Sequence, residues 1–481
     1  MSLLDDANDR VVELSAANRA FMARYPGEPA TRQPVHTVYG GAHLFRADTT
    51  QRLGELALRS LDTYAGNAWE FAAALGFAGT LPRASELSQL TAAFARDPTA
   101  LRVAQPQAWL ALTVYERVRA KLQREPVEDF RIDFEDGFGA RADAEEDASA
   151  VQAAREVASG MLQNTLPPFI GIRIKSFGEE WHRRGARTLE LFLDTLLSAA
   201  GRLPANFVVT LPKVCVAEQP RLLVRLLSLL ERRYALPAGT LRMELMIEVT
   251  QALIAADGRS PLPDFLKACE GRCVAAHFGT YDFTASCNIT AAHQTMAHPW
   301  CDLAKGMMVL AYAGTGIFLS DGATNVMPVG PHKGSDLADE LLAQNRAVVH
   351  GAWQLAHRHI RASLVGGFYQ GWDLHPGQLP VRYATCYGFF LEGFAQAAER
   401  LRNFIDKAAQ ATLVGDVFDD AATGQGLLNF FLRARNCGAI ELSDLEQTGL
   451  SLDEFSLRSF AKILEARRQR LAAAQAQRPI A

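Results

Sequence analysis

The sequence predicts an α/β fold: a (β/α)8 TIM barrel with a helical insertion after its first strand and a helical C-terminal region. Three observations carry this expectation. Short β-rich runs alternate with helical patterns over most of the chain, eight such runs can be placed, and the GxGxxG or Walker turn of an open doubly wound sheet is absent from the sequence.

The elements follow in order. Residues 1–33 read as a helical lead-in with apolar positions at Val12, Leu14, Phe21 and Met22. The barrel domain is expected over 34–387. Its first strand is the run Pro34-Val35-His36-Thr37-Val38-Tyr39, stopped by Gly40 and Gly41. An alanine- and leucine-rich helical insertion occupies about 48–125, broken at Pro82, Pro98 and Pro106. Further strands are expected at 130–134, 169–174, 207–211, 243–248 and 274–282. Gly316-Ile317-Phe318-Leu319 reads as the seventh and Ala362-Ser363-Leu364-Val365 as the eighth. Helical patterns over 144–162, 187–200, 300–313 and 337–357 lie between strands, and 388–481 forms the C-terminal helical region, with a loop at 415–420.

Composition narrows the function classes. The chain has 481 residues, 49% hydrophobic and 21% charged, enough for a large core. A net charge of −4 gives no electrostatic reason to bind nucleic acid, and the basic run at 467–470 reads as a solvated helix end. The longest apolar stretch, around 307–319, is interrupted by glycines and too short for a membrane span. Seven scattered cysteines without a CxxC pair favour free thiols in a reducing compartment. Acids at Asp5 and Asp6 replace the basic start of a signal peptide. A cytoplasmic protein acting on a small molecule is expected, with no nucleic-acid or membrane partner.

In such a barrel the active site lies at the C-terminal ends of the strands. Glu248 and Asp282 end two neighbouring strand patterns one strand-helix-strand unit apart, so both carboxylates should emerge at one rim. We read them as a divalent metal pair, because a hard cation such as Mg²⁺ takes oxygen ligands and completes its shell with water and substrate oxygens. Glu135, Asp136, Arg173, Lys213 and Asp321 are the other polar residues expected at this end. Arg173 serves either the substrate or the Glu135/Asp136 pair, and Lys213 either binds a substrate carboxylate or is a solvated charge. Asp321 before Gly322 reads as a turn. His36 reads as a hydrogen-bonded structural residue more than a general base, and His375-Pro376 as a loop anchor or helix start. His357 and His359, two apart on a helix, face different ways and make a poor metal pair.

These motifs, in order, resemble the citrate lyase beta-subunit-like and HpcH/HpaI aldolase family, relatives of malate synthase in the pyruvate-binding barrel superfamily. The resemblance rests on Asp133-Phe134-Glu135-Asp136-Gly137, Ile172-Arg173-Ile174-Lys175, Leu211-Pro212-Lys213-Val214, Ile247-Glu248, Phe278-Gly279-Thr280-Tyr281-Asp282, His298-Pro299-Trp300-Cys301-Asp302 and the run from Gly367 to Gln378, across roughly 128–380. It implies a Mg²⁺-dependent carbon-carbon lyase, aldolase or citrate lyase-like, acting on a 2-oxo or 2-hydroxy acid, free or as a CoA thioester. Glu248 and Asp282 would hold the Mg²⁺, with Mn²⁺ a second candidate. Arg173 would pair with substrate oxygens and Lys213 and Gly279 would line the substrate. Glu135 and Asp136 would support catalysis by holding metal-bound water or the arginine. The physics agrees: cleavage next to a carbonyl passes through an enolate, which a cation and a guanidinium stabilise. A malate-synthase-like condensation of an acyl-CoA and a non-catalytic metabolite-binding barrel are the alternatives, and homo-oligomerisation is expected from the relatives. In malate synthases a C-terminal domain brings the catalytic aspartate, a part that Asp416, Asp419 or Asp420 could play, although no motif matches.

Overall fold

A computed structural model describes residues 3, 7–77, 82–334, 336–406, 412–414, 417–419 and 421–476. Eight parallel strands close into a barrel in sequential order: β1 (His36–Gly41), β2 (Asp129–Asp133), β3 (Phe169–Arg173), β4 (Phe207–Leu211), β5 (Arg242–Ile247), β6 (Cys273–Phe278), β7 (Phe318–Ala323) and β8 (Gln370–Asp373). Closure is made by β8 against β1, with Val38 opposite Asp373. The β2–β3 register puts Asp133 beside Arg173, which matters for the site below.

The strands are built from residues that suit a sheet covered on both faces. Ile132, Ile172, Val209, Leu211, Leu245, Ile247 and Phe278 point outward and are fully buried beneath the surrounding helices. Those helices include Asp143–Gln163, ended by Asn164 in the left-handed conformation, and His182–Ala200, ended likewise by Gly201. The insertion is helical from Thr49 to Arg124 in several pieces. Pro98 and Pro106 each start a helix at its first position, where the missing amide hydrogen costs nothing, so these prolines begin helices as well as end the preceding ones. The lead-in helix Asn8–Arg24 buries none of its residues; Val12, Phe21 and Met22 are exposed.

The barrel interior departs from the usual layers of branched aliphatics. Arg131 on β2 reaches across to Glu244 on β5, with Nη2 to Oε1 at 2.6 Å and Nε to Oε2 at 3.0 Å, and pairs with Asp129 through Nη1. Thr210 Oγ1 donates to Glu244 at 2.8 Å, Thr37 Oγ1 donates to Asp129 at 2.8 Å, and Gln370 Nε2 donates to Thr37 at 2.9 Å. Burial works against the Glu244 carboxylate, yet Arg131 and His277 outweigh it and hold the group well below the usual range. The charges are thus paired within the buried interior of the barrel.

Several sequence expectations are corrected. The run 362–365 is not the eighth strand but the last turn of the helix Asp339–Val365: Trp353, Ala356, Ile360 and Leu364 continue one buried face at helical spacing, and β8 begins after Gly367 turns the chain at φ +84°. The seventh strand runs on past Leu319, so Asp321 lies inside β7 rather than in a turn. It is buried, bonded to Lys305 Nζ at 3.1 Å and Ser363 Oγ at 2.6 Å. Asp282 does not end β6; it sits in the first turn of the short helix Thr280–Ser286. His36 is structural, its Nδ1 2.8 Å from Asp373 and its Nε2 accepting from the Glu128 amide at 3.0 Å. His375 caps the turn Pro376–Gln378, and His357 and His359 point to different partners, Thr385 and Thr324. In the C-terminal region Val417–Asp419 pairs with Thr412–Val414, so the 415–420 stretch is not wholly a loop; Gly424 and Gly426 lie within the helix Ala421–Asn436. Asp416 and Asp420 lie outside the described residues. All seven cysteines are free, and among the described residues no helix is long and apolar enough to cross a membrane.

Candidate functional site

The carboxyl ends of β2 to β6 bring one charged cluster to the barrel mouth. Its anchor is Asp133, the last residue of β2, which sequence reasoning did not single out. Asp133 Oδ1 accepts from Arg173 Nε at 2.7 Å, and its Oδ2 accepts from Arg173 Nη2, a two-point pairing that fixes the guanidinium plane. The same carboxylate accepts from the amides of Glu135 at 3.0 Å and Gly137 at 2.8 Å, so it also shapes the loop that follows. A Cβ on Gly137 would stand 2.5 Å from Asp133 Oδ2, which explains a glycine there. The signal was available: an aspartate two residues before Glu135 has the spacing of an Asx-type turn.

Arg173 is buried, with Nη1 3.1 Å from Glu135 and 3.5 Å from Asp136, and its guanidinium stacks over the Tyr39 ring at 4.9 Å. Both acids lie where expected. Burial chiefly pushes the Glu135 carboxyl up to about 7; Arg173 opposes the rise and Asp136 adds to it. Asp136 is more exposed. Burial works against its ionised form too, but Arg173 leads the interactions that outweigh it and bring the group below its usual value.

Lys213 occupies the centre. It follows β4 with φ +52°, a left-handed conformation unusual for a side chain of this kind, and this turn aims its amide at Glu248 Oε1, 2.8 Å away. Its ammonium pairs with Glu135 and lies 3.3 Å from both Asp136 and Asp282. Lys213 is thus the cation among these acids rather than a charge standing alone in solvent. Glu248, directly after β5, is buried, and burial followed by the neighbouring Asp282 pushes its carboxyl up to about 8. Gly279, after β6, packs against it so closely that a Cβ would collide with the Glu248 carboxylate and stand 2.6 Å from its Cβ. Gly279 therefore makes room for Glu248.

Among the described residues no three His, Cys, Asp or Glu side chains converge as a ready-made metal cage. The mouth nevertheless suits a hard divalent cation. Among the described residues Asp133, Glu135, Asp136, Glu248 and Asp282 have Arg173 and Lys213 as their cationic partners, an excess of negative charge, and Mg²⁺ requires only one or two carboxylates beside water and substrate oxygens. The raised Glu248 carboxyl reflects its burial first and the neighbouring Asp282 second, with Lys213 opposing both.

The fold and this rim define a closed (β/α)8 barrel with an acidic, arginine-bearing mouth. The chain belongs to the family described as "Domain of unknown function (DUF6986)", which it matches over residues 14–463. No curated protein matches the sequence. Among solved structures, a citrate lyase from Burkholderia xenovorans LB400 shares 20% identity at a TM-score of 0.50, covering 70% of this chain and 93% of that one. A malate synthase from Haloferax volcanii, in a magnesium/glyoxylate complex, shares 16% identity at a TM-score of 0.41, covering 74% and 92%. At 20% identity the first likeness speaks for the fold alone.

Proposed function

We propose that the protein is a Mg²⁺-dependent carbon-carbon lyase of the aldolase or citrate lyase-like kind. It would cleave or form a bond next to the carbonyl of a 2-oxo or 2-hydroxy acid, free or as a CoA thioester. The observation that carries the reading is that Lys213 meets both Glu248 and Asp282, through its amide and its ammonium, at the rim where Asp133 holds Arg173 by two points. Glu248 and Asp282 would hold the Mg²⁺, for which Mn²⁺ is a plausible substitute. When bound, the ion supplies Lewis-acid charge for the substrate's carbonyl and carboxylate oxygens.

The rest falls to the chain's own residues. Arg173 keeps Nε and Nη2 fixed on Asp133 while Nη1, paired with Glu135 and near Asp136, is the donor that turns from these acids to the oxygen on which charge develops. Tyr39 supports the guanidinium plane from one side. Lys213 stands in for a cation between turnovers and moves its ammonium toward a substrate carboxylate once the acids have another partner. Gly279 leaves the opening beside Glu248 clear. Glu135, whose carboxyl is held near 7 mainly by burial, can carry and release a proton close to neutral pH.

The test is deuterium incorporation at C3 of pyruvate in D₂O, which reports enolate formation without requiring the full natural substrate. Exchange that needs Mg²⁺ and disappears in Glu248→Gln and Asp282→Asn is the expected result. Wild-type protein that neither exchanges these hydrogens nor binds Mg²⁺ would rule the reading out.

A further inference from the structure

The opposite end of the barrel carries a second charged feature, which the proposed reaction does not use. A cavity of about 520 Å³ opens beside the N-terminal ends of β1 and β2, walled by the end of the insertion helix Pro106–Arg124, by the end of the helix Ala421–Asn436 and by the turn at Arg458. Two of its basic residues are already neutralised. Arg32 and Lys121 each bridge Glu125 and Glu128, with Arg32 Nη2 2.7 Å and Lys121 Nζ 2.6 Å from Glu128 Oε1.

Arg124, Arg435 and Arg458 line the same cavity, and among the described residues none of the three has an ion-pair partner; Glu441 is the remaining acid on the wall. Arg458 is the telling member. Its Nε is buried without a hydrogen-bond partner, and its backbone takes φ +54°, a conformation a non-glycine residue adopts at a cost. Burial, reinforced by Arg433 and only partly offset by Glu28, pulls its guanidinium below the usual arginine range. A strained turn that holds a half-buried guanidinium, its Nε buried and unbonded, against a cavity has the chemistry of an anion site.

We propose that this cavity binds a phosphorylated small molecule, with Arg124, Arg435 and Arg458 as the contacts to its phosphate group. Three guanidinium forks around one concavity match the several equivalent oxygens of a phosphate better than a single planar carboxylate, and arginine is the side chain suited to paired contacts of this kind. The volume lies within the range of a single metabolite, and a concavity of this size on a chain of net charge −4 has the wrong extent and field for a nucleic-acid strand. Because the walls come from the insertion and from the C-terminal region, the bound phosphate ties those two parts together at the barrel's base.

The experiment is calorimetric titration of the full-length protein with inorganic pyrophosphate, without divalent metal, alongside Arg435→Gln, Arg458→Gln and Arg124→Gln. Arg124 is exposed, so its substitution leaves folding undisturbed and keeps the test decisive if the half-buried Arg435 or Arg458 variant misfolds. Saturable binding with a raised melting temperature is expected, weakened about tenfold or more by each substitution, the worth of one charge-assisted contact. Absence of saturable binding to the wild type, or binding that Arg124→Gln and any folded Arg435 or Arg458 variant leave unchanged, would overturn the proposal.

Discussion

The amide of Lys213 donates to Glu248 Oε1 at 2.8 Å while its ammonium, at the other end of the same residue, lies 3.3 Å from Asp282. One residue thus holds the first acid in place and neutralises the second. Removing the ammonium but not the amide should therefore free the acids for a divalent cation. Lys213→Met is expected to bind Mg²⁺ about tenfold more tightly than the wild type by calorimetry, as several partly exposed ion pairs are released. An unchanged affinity would mean that the lysine does not compete for this position.

Gly279→Ala tests the other side of Glu248. The added methyl has no space, because the neighbouring atom at 2.6 Å is the glutamate's own Cβ and not the tip of a flexible chain. The variant is expected to fold with a loss of about 1–3 kcal/mol in urea unfolding and to lose Mg²⁺ binding at least about tenfold.

The barrel interior makes a separate stability prediction. Arg131→Met leaves Asp129 and Glu244 buried without their shared cation and should destabilise the protein by about 3–5 kcal/mol, whereas Arg131→Met with Glu244→Met recovers a large part of that loss. Denaturant titration of the single and double variants distinguishes a mutually dependent network from separate contacts.

His357 sets a pH dependence. Burial, then Arg361 and Arg358, lower its imidazole from 6.5 to about 4, and its Nδ1 lies 2.9 Å from Thr385 Oγ1. The unfolded chain takes up this proton near 6.5 and the folded one only near 4, so the stabilisation is present above 6.5 and is lost as pH falls through that window. His357→Gln should flatten the stability-versus-pH curve between 6.5 and 4 relative to the wild type, and equal slopes would contradict the assignment.

Much of this architecture was legible in the sequence. Strands such as Phe207–Leu211 announce themselves by β-branched runs between turns, and the acids after β5 and β6 follow from barrel geometry. The eighth strand was not legible, because Ala362–Val365 is as apolar as a strand and only its phase with Trp353 and Ile360 marks it as helix. The interior network was hidden for another reason: Arg131 and Glu244 alternate with isoleucine, leucine and methionine as a half-exposed strand would, and only closure of the barrel turns their face into a core. The role of Asp133 depends on the β2–β3 register that sets it beside Arg173, which its place before the acidic Glu135 and Asp136 does not reveal. The position of Lys213 depends on a left-handed backbone that a lysine does not advertise.

The central claim is that Glu248 and Asp282 hold a divalent cation. Its most direct test is anomalous diffraction from crystals soaked with Mn²⁺ and pyruvate. The expected result is a single strong peak between the two carboxylates, with the Lys213 ammonium moved away from Asp282 and Arg173 still paired with Asp133. A map with no peak there, and Lys213 still lying among Glu135, Asp136 and Asp282, would contradict the account.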